Sequence, residues 1–318
     1  MKNNRVCILG GTGFVGRHLT SRLTAMGIEC RIPTRYTEPY RAMRLNWPVE
    51  LVQANVFDPE QLHSLFTDCD AVINLIGILN QGGSSSFQRI HVELPDLVVA
   101  TCKSTKVGRL LHMSALNANS STATSEYLRS KGEAQNRVLT NSSAHGGLNI
   151  TSFGPSVIVG HDDSFFNRFA GLLKLAPGLF PLACPDSRFA PVYVGDVSKA
   201  FVAALDNKQT WKRHYELCGP RVFTLRELVT YTAKQLGLKR RIIGLNDSLS
   251  RIQGHLLGHF PGRPFSYDNY LSLQSDSVCS RDGLGELGIQ ATDIDAVVPY
   301  YLGQHSQRSR YLKLRCRA

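Results

Sequence analysis

Acidic residues are missing from two stretches of this 318-residue chain where their absence matters. None follows Asp295, although Arg308, Arg310, Lys313, Arg315 and Arg317 crowd the C-terminal arm, and none lies between Glu29 and Glu38. The chain carries 36 Lys and Arg against 25 Asp and Glu, a formal net charge of +11, so a negatively charged partner is expected. No recognised nucleic-acid module accompanies the basic arm; anionic lipid or an acidic protein fits it better than specific nucleic-acid readout. Apolar runs of the ~20 residues that a bilayer-spanning helix needs are also lacking. With the first strand starting almost at Met1, no signal or transit peptide is expected. The expected location is therefore the cytoplasm, with contact to the inner face of the membrane. Eight cysteines, Cys7, Cys30, Cys69, Cys102, Cys184, Cys218, Cys279 and Cys316, include no CxxC pair and no zinc-like cluster. Buried, reduced thiols are the expectation.

What is present points to an α/β protein. Hydrophobic residues make up 42% of the chain and charged ones 19%, enough for one large domain or two sharing an interface. Near the N-terminus, RVCILGGTGFVGR places an apolar strand, then Gly10, Gly13 and Gly16, then the helical spacing of Phe14, Val15, Leu19 and Leu23. Gly10 permits a tight turn, Gly13 lets backbone approach a pyrophosphate, and Gly16 lets the helix pack on the strand. The N–H groups around that turn, with Thr12, Phe14 and Val15, face the anion. Residues 28–33 read as the second strand and put Arg35 where an adenosine ribose would lie. An NAD site usually has Asp or Glu there. Arg35, with Arg41 and Arg44 nearby, instead suits a 2′-phosphate, and NADP(H) is favoured over NAD(H).

Further strands follow at 49–56, 71–76 and 109–115, with a mobile Gly/Ser-rich loop at 81–86 and a helix over 87–103. Val56 and Asp58 end the third strand, where Asp58 can cap the next helix or bond the adenine. Gly77 ends the fourth, and the fifth delivers Ser114 to the same edge, where ligands of such sheets collect. Tyr127 and Lys131, four apart in EYLRSK, share one helix face. An ammonium one turn away would lower the phenol from its usual value of about 10, equipping Tyr127 for proton exchange with a substrate oxygen that Ser114 holds. Lys131 can also bond the nicotinamide ribose, and backbone at Pro155 and Val157 can approach the nicotinamide.

Beyond residue 160, Phe165, Phe166 and Phe169 could wall a pocket or pack a core, Asp196 starts a helix as its cap, and Thr224 with Glu227 fits a capping box. In residues 242–270, Leu245, Leu249, Ile252, Leu256 and Phe260 recur at helical spacing, either as an interfacial helix or as one packed on its own domain. His255 and His259 lack the Glu of HExxH and a third ligand, so no metal site is expected.

GGTGFVG, Tyr127xxxLys131, ITSFGPSVIVG, PVYVGDVSKA and YELCGPRVFTLREL together resemble the extended short-chain dehydrogenase/reductase superfamily over nearly the whole chain. VINLIG, LNAN, YLRSK, PVYVGDVSK and LGIQAT are similar to the family of the thirty-nine-kilodalton accessory subunit of respiratory NADH:ubiquinone oxidoreductase and its bacterial relatives. The resemblance implies a Rossmann doubly wound parallel sheet of six or seven strands. Residues 1–160 would form the NAD(P)-binding domain, with 189–218 returning to it, and 161–188 and 219–318 a smaller subdomain. Gly10, Gly13, Gly16 and Arg35 would carry NADPH, and Ser114, Tyr127 and Lys131 would hold the catalytic positions. MSALNANSS departs from the Ser/Thr-rich pair and VYG that extended relatives have there. Three functions follow as expectations: a reductase tied to ubiquinone metabolism, with a small-molecule or quinone-related substrate; a non-catalytic NADPH-holding module docked on a membrane complex through the arm and residues 242–270; or an NAD-dependent sugar epimerase/dehydratase.

Overall fold

Val6, Cys7, Ile8 and Leu9 are all buried because strand β1 (Arg5–Leu9) lies mid-sheet with helices on both of its faces. The computed structural model describes residues 4–45, 48–83, 85–142, 147–176, 178–260 and 265–302. Chain order continues with α1 (Phe14–Ala25), β2 (Glu29–Thr34), a 3-10 helix (Glu38–Leu45), β3 (Val49–Gln53), α2 (Pro59–Phe66) and β4 (Ala71–Asn74). Then come α3 (Leu94–Ser104), β5 (Arg109–Met113), α4 (Glu126–Thr140) and β6 (Asn149–Pro155). Beyond these lie β7 (Ile158–Val159), α5 (Phe165–Leu175), β8 (Leu179–Leu182), β9 (Arg188–Phe189), β10 (Val192–Tyr193), α6 (Val194–Leu205) and β11 (Arg213–Leu217). The described chain closes with β12 (Phe223–Thr224), α7 (Leu225–Gln235), β13 (Arg241–Gly244), α8 (Asp247–Leu257), α9 (Tyr267–Ser272), α10 (Gly283–Glu286) and α11 (Val298–Leu302).

The main sheet has seven parallel strands in the order β11-β6-β5-β4-β1-β2-β3. Its order reverses between β1 and β4, the switch point at which such sheets bind ligands. On one face, Ile8, Ile73, Leu111 and Phe153 pack with Leu19 and Leu23 of α1 and Val197 and Phe201 of α6. On the other, Cys7, Val72, Leu110 and Ile150 pack with Leu62 and Phe66 of α2, Val98 of α3 and Val138 of α4. A third core gathers Phe166, Leu173, Phe189, Leu228 and Val298, with Phe165 and Phe169 packed against it. Those phenylalanines therefore serve a core.

Several local expectations are revised. The third strand stops at Gln53 rather than reaching residue 56. The 87–103 segment opens as a π-helical stretch, Gln88–Glu93, before α3. Pro95 accounts for this, since it lacks an N–H and its ring clashes with the carbonyl of residue 91 in a regular helix. The Gly/Ser-rich loop holds a turn in which Gly82 and Ser85 exchange backbone hydrogen bonds, and Gln81 bonds both Phe87 N–H and Glu126. Asp196 is no cap: it is fully buried in the first turn of α6, accepting from Lys199 Nζ and the Thr292 N–H. The Thr224–Glu227 capping box is present.

The cysteine expectation also needs correction. Cys218 and Cys279, 61 residues apart, form a disulfide where the end of β11 meets the loop before α10. Only the folded chain brings them together, so spacing could not reveal the pair. Cys7, Cys30, Cys69 and Cys102 are free and buried, and Cys184 is free and half-buried. Cys316 and the basic residues from Arg308 to Arg317 lie outside the described residues.

Candidate functional site

The turn after β1 is built to receive an anion. Gly10 has φ +79°, a left-handed conformation that favours glycine. A Cβ on Gly16 would collide with the Gly10 carbonyl and the Gly11 backbone, so this position needs glycine for close packing. Gly13 is the N-cap of α1, where no side chain caps the helix and the first turn holds no acid. The N–H groups of Phe14 and Val15 thus lack helical partners and stand open to a ligand oxygen, beside Thr12. These residues fit a dinucleotide diphosphate.

Around this turn the other expected cofactor residues fall in different states. Arg35 is exposed just past β2, and Arg41 and Arg44 are exposed on the 3-10 helix that follows. Asp58 is occupied as the N-cap of α2, accepting from the N–H groups of Glu60 and Gln61, which holds its carboxyl below the usual range. Val56 is half-buried beside it. The carbonyls of Pro155 and Val157 already accept from the N–H groups of Leu116 and Val192.

Gly77 links the turn to the middle of the site. The backbone at Leu75 and Ile76 packs against Gly10, while a Cβ on Gly77 would lie 2.9 Å from Lys131 Nζ. Lys131 is buried on α4 and donates to the Met113 carbonyl at 3.2 Å. Burial pulls its ammonium down to about 8. Ser114 is also buried, and its Oγ has no hydrogen-bond partner among the described residues, Tyr127 included. Ser125 caps α4, its hydroxyl accepting from the Leu128 N–H, and Tyr127 and Lys131 do fall one turn apart on that helix.

Their electrostatics differ from expectation. Burial and the Asp268 carboxylate push the Tyr127 phenol up to about 12, where a lowered value was expected from Lys131. The cause is tertiary: Asp268 of α9 sits at the N-terminus of α4, accepting from the N–H groups of Glu126 and Tyr127 at 2.7 and 3.2 Å. The Tyr127 ring packs edge-on against Phe87 and His91, at centroid distances of 5.9 and 5.6 Å.

His91 is a site residue that motif reasoning missed. The Ile78 N–H donates to its Nε2, so the ring proton sits on Nδ1 and is given to Ser130 Oγ, whose hydroxyl donates to the Tyr127 carbonyl. Burial, then the charge of Lys131, lowers His91 to about 2, so it stays neutral. His112, also missed, is lowered to about 3 for the same two reasons. A signal was there: a histidine interrupts the apolar strand RLLHM. Segment 265–277 closes over this end, through Ser266 to Asn80, Thr124 to the Leu271 carbonyl and Asn117 to the Asp276 carbonyl.

At α8, His255 stacks on Tyr267 at 4.2 Å and His259 bonds the His255 carbonyl. Ser250 and Gly254 face inward, while Leu249, Ile252, Leu256 and Phe260 are 48–61% exposed. No described helix is long and apolar enough to cross a membrane.

A parallel sheet with a glycine turn at its switch point, and a lysine at the neighbouring carboxyl edge, defines a dinucleotide-binding protein of the doubly wound class. More particularly, the chain belongs to the NAD dependent epimerase/dehydratase family, whose pattern matches residues 6–218. It is homologous to subunit 9 of the mitochondrial NADH dehydrogenase (ubiquinone) 1 alpha subcomplex. The Mus musculus protein is 30% identical over 300 residues and the Rattus norvegicus protein 29% over 301, each match covering 91% of this chain and 77% of the relative. The NADPH-dependent quinone oxidoreductase QOR2 of Escherichia coli, solved with NADPH, has the same fold. It gives a TM-score of 0.72 at 16% identity, over 92% of this chain and 97% of that one.

Proposed function

We propose that the chain binds NADP(H) at the turn of residues 10–16 and is a reductase-like protein that docks on a respiratory membrane complex. The observation that carries the reading is the position of segment 75–77, whose Leu75 and Ile76 lie against Gly10 while Gly77 lies beside Lys131 Nζ. Gly10, Thr12, Gly13, Phe14, Val15 and Gly16 hold the diphosphate, Arg35 the 2′-phosphate, and Val56 and Asp58 border the adenine. Gly77, Pro155 and Val157 border the nicotinamide end. When bound, the nicotinamide supplies or accepts a hydride at a carbonyl or alcohol carbon. Tyr127 exchanges a proton with the substrate oxygen, Ser114 Oγ holds that oxygen, and Lys131 fixes the ribose and supplies positive charge. Carbonyl compounds of small or quinone-like size are the substrate class. In this reading the exposed apolar side of α8 and the basic residues from Arg308 to Arg317 are the docking elements, and the inner membrane face is the surface they would meet.

A second reading, retention of NADPH without turnover, is favoured by the raised Tyr127 phenol and the unbonded Ser114 Oγ. A nucleotide that binds only the native state stabilises it with no reaction at all.

Calorimetric titration should show NADPH binding more tightly than NADH, with Arg35→Ala weakening NADPH by about tenfold, the loss of one charge-assisted contact. Equal affinities in the unmutated protein would remove the NADP(H) assignment. With a quinone or aldehyde panel, Tyr127→Phe should abolish NADPH oxidation while keeping the nucleotide bound. NADPH retention with no oxidation in the unmutated protein selects the second reading.

A further inference from the structure

One register row on the face covered by α2, α3 and α4 changes character as it crosses the sheet. Leu9 of β1 pairs with Asn74 of β4, Asn74 with His112 of β5, His112 with Ser152 of β6, and Ser152 with His214 of β11. The row two residues earlier, Cys7, Val72, Leu110 and Ile150, is apolar throughout. Register partners in a parallel sheet point to the same face, so the four polar residues form a file with a spacing of ~4.8 Å. Asn74, His112 and Ser152 are no more than 2% exposed. His214, on the edge strand, is half-buried and lines a surface recess with Arg213, Glu216, Ser280, Arg281 and Glu286.

This file is unusual in its hydrogen bonding. Asn74 Nδ2, both ring nitrogens of His112, Ser152 Oγ and His214 Nδ1 have no partner among the described residues. Buried polar groups are otherwise almost always paired, so five orphans in one row suit a path for water and protons better than a structural network. An imidazole accepts at one nitrogen while it donates at the other, and a serine hydroxyl does both. At the inner end, Lys131 Nζ bonds the carbonyl of Met113, the neighbour of His112. The charged or titratable groups whose fields reach the two histidines are Lys131 of α4 and Glu216 of β11, and His91 of the π-helical stretch is coupled to His112.

We propose that His112, Ser152 and His214, bridged by water and closed at the inner end by Asn74, conduct protons between Lys131 and solvent at the outer edge of β11. The use of this conduit rests on the reductase reading above. For each carbonyl reduced, the hydride brings two electrons to the carbon and the Tyr127 phenol gives its proton to the new hydroxyl. Lys131 returns a proton to Tyr127, and one proton enters at His214 and passes along the file to restore Lys131.

The test measures exchange of the His112 ring N–H with water, by NMR on the full chain labelled with 15N-histidine. In the unmutated protein that proton should exchange far faster than global unfolding allows. Ser152→Ala, and separately His214→Gln, should slow it about tenfold or more, while Tyr127→Phe leaves it unchanged. Equal exchange in the two file variants and the unmutated chain, or exchange only through global unfolding, would overturn the conduit. The readout needs neither substrate nor nucleotide, so it is decided separately from the hydride chemistry that Tyr127→Phe kinetics judges.

Discussion

Arg109 and His112 lie three positions apart on β5, on opposite faces of the sheet, and both are buried. Arg109 is provided for completely. Its guanidinium donates to the carbonyls of Asn149, Ala204 and Leu205 and to the hydroxyls of Thr151 and Thr210. Burial lowers it only to about 10, so it stays charged while it ties the C-terminal end of α6 to the sheet. His112 has a neighbourhood just as buried, yet neither of its ring nitrogens is bonded among the described residues. A satisfied buried polar group stabilises a fold; an unsatisfied one weakens it and needs a functional account. The difference separates scaffold from site within one five-residue strand.

That contrast can be broken most forcefully at Arg109. Arg109→Met removes one donor set from the Asn149 carbonyl, two helix-end carbonyls and two threonine hydroxyls, and should cost about 3 kcal/mol in urea unfolding. A loss under about 1 kcal/mol would mean the network is not structural. The smaller and sharper test is at His112. Its folded value, about 3, lies below the unfolded value of about 6.5, so the unfolded chain binds the proton first. Stability conferred by its neutral form is therefore present above pH 6.5 and is lost as pH falls towards 3. His91 acts in the same sense, with its value of about 2. His112→Leu should reduce the pH dependence of stability in that window by about 1.4 kcal/mol per pH unit, while changing stability at pH 7.5 by less than about 1 kcal/mol. An unchanged slope would show that His112 does not titrate as a buried neutral group.

Much of the framework was legible because its causes are local. The glycines of the first turn, the Tyr127–Lys131 pair on one helix face and the Thr224–Glu227 box each act over a few residues, a range over which sequence dictates geometry. The segment motifs also identify the family. What escaped was non-local. Asp268 reaches Tyr127 from 141 residues away, and Cys279 reaches Cys218 from 61. Asp196 looked like a cap because acids favour helix starts, yet a backbone N–H from Thr292 claims it. Asn74 and His112 were visible as polar interruptions of apolar strands, but their alignment with Ser152 and His214 depends on strand register.

By itself, then, the sequence determined a chain of alternating strands and helices, a glycine turn that only a close-approaching backbone requires, and a tyrosine and lysine one turn apart. Those features follow from steric limits and helical period. Only the tertiary structure decided that Tyr127 would be held protonated by burial and Asp268, that Lys131 would be desolvated beside Gly77, and that four polar residues from four strands would line up on one face of the sheet. The reason is physical: desolvation and register depend on groups brought from distant parts of the chain, and those groups meet only when the seven strands have paired.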